Sequence, residues 1–440
     1  MVCNMSCASL PERGCYMRYK VARICKLAAS LIHHVMENNY KHTVRENIKA
    51  QGYSQKILIV ERPNDQFELE IKGNGNFELE PLQLIAAARL IDPSSKIIVN
   101  EDLFFLKNIF DQPVTLANCI LNGTVTFREC VFQENADFRD AEFKMNVSFT
   151  KSKFEKKVRF HHAKFLESVK FENTKFHDLV DFYNATFQNT QQFFLTDFLG
   201  VTIFSHTKFN KQIQFLYCKT SKETVISFEN ATFSQSLDIS RANFWCKISF
   251  WKIHLTVVPT EFWLYENDEI AEEKIERPKT SLRMLRETYR IIKDSYNKEG
   301  NQIEVLEFYK NEMLLFKEEQ KYKGRWRLTE DSISLFFNKE SNKFGTSWWQ
   351  GIKFTFFVTT IFYALFLLTF CDEITFRWTK KAISETIKHF FEFLNITKWD
   401  IKPFGIKDYN WGYVILFIGR IFIGYGYYQI VQAFRKFGKN

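Results

Sequence analysis

The sequence predicts a mainly β fold, a solenoid wound from short extended segments, followed by a helical hairpin and two transmembrane helices. Three observations carry that prediction. Phenylalanine recurs with alternating gaps of five and six residues from Phe127 through Phe132, Phe138 and Phe143 to Phe215. Two residues before nearly every ring sits a small or β-branched residue, as at Val125, Cys130, Ala136, Ala141 and Val147. Two apolar stretches of bilayer length, residues 352–371 and 411–433, stand near the C-terminus. Neither the helical period nor strict strand alternation yields an eleven-residue series, and self-similarity at a fixed period means coils stacked into a solenoid.

Residues two apart share one face of an extended segment, so each ring and the small residue before it can both point inward. Polar residues between them fall at corners and on outer faces. Four rings per coil give about 22 residues per turn and a rise of roughly 4.8 Å, the spacing of hydrogen-bonded strands. Going backward, Leu121, Leu116, Phe110, Phe105 and Val99 fall on the same grid. Going forward, the grid slips by two residues between Cys218 and Val225, then resumes at Phe228, Phe233, Ile239, Phe244 and Phe250. The solenoid is therefore placed at residues 97–258, about seven coils, with the slip as a bulged corner.

The alternating five- and six-residue, Phe-rich pattern resembles the pentapeptide-repeat family, and the resemblance implies a right-handed quadrilateral β-helix. Gyrase-protecting members of that family mimic DNA with an acidic rod; this chain has a formal net charge of +9. That charge is spread along the sequence without a basic tract, so no specific nucleic-acid partner is expected.

Ahead of the solenoid, residues 1–35 read as disordered or as a start-site artefact, with the native chain opening at Met36. Residues 36–96 read as a small α/β cap: a strand at 56–60, strands at 67–71 and 77–79 around Gly73-Asn74-Gly75-Asn76, and a helix at 82–91. A cap is needed because an open coil end exposes unpaired backbone groups. The nine cysteines show no metal-type CxxC spacing and read as reduced apolar fillers. His161 and His162 fall at a corner, and no nucleophile, acid–base or metal constellation emerges, so the chain is read as a non-enzyme without a cofactor.

Residues 259–345 are read as a linker and an amphipathic hairpin, with helices at 280–297 and 302–320 broken at Lys298-Glu299-Gly300-Asn301. The segment from Tyr289 to Met313 is similar to the hairpin that follows pentapeptide repeats in bacterial membrane proteins, some of them ion-channel-like. The membrane region is set at residues 346–440. Trp411 and Tyr413 at one end of the second span, and Arg435, Lys436 and Lys439 beyond the other, predict a cytoplasmic C-terminus. The resemblance implies a bacterial inner membrane, with solenoid and tail on the cytoplasmic side.

Gly412, Gly419, Gly426 and Ala433 recur every seven residues and predict a smooth stripe for close helix packing, and through it a homo-oligomer. Arg420 lies nine residues inside Trp411, about 13 Å deep, and stands as the candidate pore or functional residue, with water, lipid phosphate or a neighbouring subunit as its partner. Channel-type relatives of this layout carry a Thr-x-Gly-Tyr-Gly filter between their spans; here Gly424-Tyr425-Gly426 lies inside the second span without the preceding Thr-Val. Residues 382–394 between the spans form an amphipathic pattern that either lies on the membrane surface or re-enters it. The functional expectation is an oligomeric pore or channel-like effector with a cytoplasmic solenoid that senses or recruits a protein partner; the alternative is a membrane-tethered scaffold.

Overall fold

The computed structural model describes residues 57–61, 67–71, 80–92, 95–255, 281–322, 329–369, 379–401 and 410–435, together with Val44 and Ile48. The reading of residues 1–35 and Met36, the turn at 73–76, the strand at 77–79, the solenoid's last residues 256–258 and the tail lysines all lie outside them. The repeats form a parallel β-solenoid of about seven turns, followed by helices. The chain divides into two compact units, the first running to Lys211 and including Lys219–Ile226, the second holding Gln212–Cys218 and everything from Ser227 onward.

In the first unit, strands of two to four residues stack in four parallel ladders. The register advances one coil per 22 residues: Phe143 pairs with Phe165 and Phe154 with Phe176. Every ring from Phe127 to Phe209 on the grid is buried. Like rings stack coil upon coil, Phe138 on Phe160 and Phe160 on Phe182 at 4.8 Å between centroids. Rings of adjacent ladders meet edge to face, as Phe149 does Phe160 at 5.7 Å, the offset geometry that the ring quadrupole favours.

The small slots are not uniformly apolar. Cys130, Ser152, Thr174 and Thr196 occupy one column 22 residues apart, and each donates to the carbonyl oxygen of the phenylalanine 25 residues earlier, at 3.4, 2.8, 2.7 and 2.7 Å. A buried hydroxyl is inexpensive only when so paired, which explains how polar residues share a core with phenylalanine.

The corners carry a regularity that the sequence reading did not foresee. Lys107, Asn118, Glu129, Asp140, Lys151, His162, Asn173, Asn184, Leu195 and His206, eleven residues apart, all have left-handed backbones with φ of 52–59°. Each stands two residues after a core residue on a five-residue step, a ring in every case but Leu116 before Asn118. The missing residue of that step forces the tighter turn, and Asn, Asp and His tolerate it best.

Two strands and a helix precede the first coil. Strand β1 (Ile57–Glu61) pairs antiparallel with β2 (Phe67–Ile71), and β2 pairs parallel with β3 (Ile97–Val99), the first rung of a ladder. Helix α1 (Glu80–Ile91) carries Arg89, whose guanidinium donates to the carbonyl oxygens of Ser95 (2.6 Å) and Ala117.

The two-residue slip is a corner. Thr220 takes a ring position opposite Phe198, and a turn from Ser221 to Thr224 holds the extra length. Across the slip the register is 24 residues, Ile213 pairing with Leu237, and beyond it the register returns to 22, Thr232 pairing with His254. Helices α2 (Leu282–Lys298) and α3 (Gln302–Tyr322) then close the hairpin over Gly300, whose φ is +74°. The hairpin seals the coil end: Thr288 Oγ1 accepts from the Ile239 amide at 3.1 Å, Ser295 Oγ donates to the Ile248 oxygen at 2.7 Å, and the Tyr296 hydroxyl donates to that of Phe250. Burial raises the Tyr289 and Tyr296 phenols above their ordinary range.

Helix α4 (Glu330–Asn342) lies in the stretch of residues 259–345 where the sequence predicts linker; its start is a capping box in which Thr329 and Ser332 bond reciprocally.

Candidate functional site

Helix α5 (Trp348–Leu368) starts four residues before the predicted span because Ser347 caps it, accepting from the Gln350 amide at 3.3 Å. Helix α7 (Asn410–Phe434) matches the second stretch. Both are long and apolar enough to cross a membrane, with mean hydropathies of 1.8 for α5 and 1.5 over Trp411–Phe434. They pack antiparallel: Gly351 meets Ile430, Thr355 meets Gly426, and Phe362 meets Gly419.

The predicted stripe is the seam of that hairpin. Gly412, Gly419, Gly426 and Ala433 are all buried, with Leu416 and Ile423 completing a heptad edge. A Cβ on Gly419 would stand 3.0 Å from Phe362 Cβ and 3.1 Å from Phe393 Cζ, and one on Gly426 would collide with the Thr355 hydroxyl. The close approach expected of these residues is thus made to a helix of the same chain. Thr355 and Thr359 turn their hydroxyls back to the carbonyl oxygens of Gly351 and Thr355, at 2.8 and 2.7 Å, leaving smooth surface at the seam.

At the end of the hairpin shared by the start of α5 and the end of α7, α4 is bolted on by amides. Asn342 Nδ2 donates to the Gln429 main-chain oxygen at 3.2 Å and to the side-chain oxygens of Gln429 and Gln432. The Tyr425 hydroxyl reaches Asn338 Oδ1 at 3.3 Å.

At the other end lies helix α6 (Lys380–Leu394), two residues longer than the amphipathic pattern suggested because Thr379 caps it. Its inner face packs on the α5–α7 hairpin: Phe390 sits 5.3 Å from Phe356 between ring centroids, Phe393 sits 5.5 Å from Phe366, and the Tyr363 hydroxyl donates to the Thr386 oxygen at 3.0 Å. Phe393, Ile401, Leu416, Ile423, Tyr363 and Phe366 form one buried cluster.

Arg420 is the pin of this arrangement. The side chain is 5% exposed, and its guanidinium donates to the carbonyl oxygens of Glu392 (3.2 Å), Asn395 and Lys398. Trp399 and Phe393 flank it at 5.6 and 6.0 Å from their ring centroids. The Tyr427 hydroxyl takes the Leu394 oxygen at 3.0 Å. Glu392 and Leu394 lie in the last turn of α6 and Asn395 is its cap, whereas Lys398 belongs to the turn beyond; last-turn carbonyls lack intrahelical partners, and a cation there also meets the negative end of the helix dipole. Sequence reasoning found Arg420 but not its partner, because backbone carbonyls leave no residue-type signal.

The remaining sequence candidates stay apart. His161 and His162 stack at 4.5 Å on a solenoid corner, His162 Nδ1 lying 3.2 Å from Asp140 Oδ1. Among the described residues no group of three or more His, Cys, Asp or Glu is arranged to hold a metal.

Residues 109–153 and 149–191 match the family model for pentapeptide repeats, nine copies. The chain carries a pentapeptide-repeat solenoid. No curated protein and no solved structure matches it.

Proposed function

We propose that this pentapeptide-repeat protein is membrane-embedded and works as an oligomeric, channel-like assembly, each chain contributing the α5–α7 hairpin and the α6 segment between. Solenoid and C-terminus lie together in the cytoplasm of a bacterial inner membrane, where the solenoid senses or recruits a protein partner. The observation that carries this reading is α6. A simple anchor needs two spans and a short loop; here the connection folds back among the spans, and Arg420 ties off its carbonyl end. Irregular backbone at membrane depth is tolerated only where protein buries it or water reaches it. With the glycine seam occupied by α5, a homo-oligomer through the second span would use the outer face of α7, where Phe417, Ile421, Tyr428 and Val431 are exposed.

A second reading, a membrane-tethered scaffold, is favoured by that same seam, since glycine packing satisfied within one chain asks for no second copy. Liposome flux with an oligomer count in detergent separates the two. A discrete oligomer that releases trapped ions is expected; a monomer that conducts nothing under any trigger would leave the scaffold.

A further inference from the structure

We propose that the edge of α6 bearing Lys381, Ser384 and Lys388 lines a water-filled vestibule that takes small inorganic anions. The inference rests on the membrane-embedded reading and deepens it by naming what the wet path admits.

Depth is the first support. Phe356, the contact of Phe390, lies twelve residues before Leu368, about 18 Å along α5. Interfacial helices settle about 5–10 Å into the headgroup boundary, so α6 reaches past that zone toward the middle of a hydrocarbon core about 30 Å thick.

The second support is what α6 leaves exposed. Its uncovered face has two edges. Ile383, Ile387 and Phe391 form the apolar one, with exposures of 45%, 52% and 59%; that edge suits lipid. Lys381, Ser384 and Lys388, spaced three and four apart, are exposed along the other. Lys388 stands two residues from Phe390, and an ammonium at that depth cannot face hydrocarbon cheaply and turns to water or a wet cavity.

The third support is charge. A helix carbonyl end attracts cations, but Arg420 already occupies this one. Glu392 is engaged by Lys398 and, at 2.9 Å, by His389 Nδ1, and the Lys398 ammonium is spent there. Glu385 stands half-buried between Lys381 and Lys388 in sequence. Two ammoniums against one carboxylate leave the edge positive, with Lys380 adding to the field at the helix start. A positive, confined aqueous edge concentrates anions and repels cations.

The test is thiol accessibility in the full-length chain reconstituted in phosphatidylcholine vesicles. Ser384→Cys and Ile387→Cys are each treated with a sulfonate-bearing and a trimethylammonium-bearing thiosulfonate, against the wild-type background. Ser384→Cys should react about tenfold faster with the anionic reagent, Ile387→Cys should stay unreactive, and Lys388→Glu should reverse the preference at Ser384→Cys. Equal labelling at both positions places α6 on the membrane surface and overturns the proposal, as does no labelling at Ser384→Cys or a faster cationic reagent there. Anion-preferring labelling in vesicles that show no flux upholds the vestibule while sinking the conducting assembly.

Discussion

Nη2 of Arg420 donates to the main-chain oxygen of Glu392 across 3.2 Å, and the same guanidinium reaches the oxygens of Asn395 and Lys398. One planar cation thus ties the end of α6, at Glu392 and Asn395, to the turn beyond it at Lys398, a geometry an ammonium cannot copy. Arg420→Lys should therefore keep the charge and lose the clamp. Leaving one buried carbonyl unmet costs about 1–3 kcal/mol, so amide exchange across residues 392–399 should quicken by about tenfold or more. Unchanged exchange there would show that the end of α6 is held by its apolar contacts alone.

The buried rings of the solenoid set its stability. Phe160→Ala or Phe171→Ala should cost about 3–5 kcal/mol by denaturant titration, because each ring touches like rings above and below and leaves a cavity no neighbour can fill. Lys157, exposed at a corner, should cost less than about 0.5 kcal/mol on conversion to alanine. Similar losses at both kinds of position would sink the assignment of rings inward and lysines outward.

The coil was legible because burial has a one-dimensional signature: with two inward positions per short unit, Phe127, Phe149 and Phe171 announce a stack without any knowledge of neighbours. The two-residue slip was legible for the same reason, as a break in phase. The left-handed corners were not, since Lys107, Glu129 and Leu195 occupy them beside the expected Asn and Asp, and turn geometry there is imposed by the five-residue step more than chosen by residue type. Arg420 and the stripe at Gly419 and Gly426 were legible as exceptions in apolar surroundings. Their partners, carbonyls of Glu392 and Asn395 and the side of α5, lie 22 or more residues away and follow only from packing. Helix α4 escaped because Thr329 and Ser332 make a capping box without the usual Glu.

The corner series makes its own prediction. Leu195 is held at φ 52° while 40% exposed, so its side chain gains little there and its backbone is strained. Leu195→Asn should stabilise the solenoid by about 0.5–1 kcal/mol, whereas Asn184→Val should destabilise it by about 1–2 kcal/mol. Thermal midpoints moving the same way for both would contradict an imposed left-handed corner.

Cys119 supplies a pH test. It is wholly buried beside β3, and burial pushes its thiol from 9.0 up to about 12, Arg89 pulling weakly the other way. The folded state holds this proton more tightly than the unfolded chain does. Its contribution is therefore complete below pH 9.0 and is lost as pH rises toward about 12. Cys119→Ala should flatten the alkaline fall in stability across that window while lowering stability slightly at neutral pH. An identical slope in the two proteins would mean that the thiol does not ionise on unfolding.

The seam between α5 and α7 decides whether glycine packing belongs to one chain or to several. Gly426 leaves no room for a Cβ against Thr355, whereas a Cβ at Gly424 would meet nothing within 4 Å. Gly426→Leu should consequently lower the thermal midpoint in detergent sharply and Gly424→Leu hardly at all, since in lipid no hydrophobic force replaces lost close packing. Because Gly426→Leu could also unfold the hairpin outright, a second measurement uses the intact seam. Phe362 and Phe422 stack at 5.4 Å between ring centroids, and cysteines in their places should join on oxidation into a crosslinked monomer that migrates faster in denaturing gels. A crosslinked dimer formed in preference would move the seam between chains and return the glycine stripe to the role of a subunit interface.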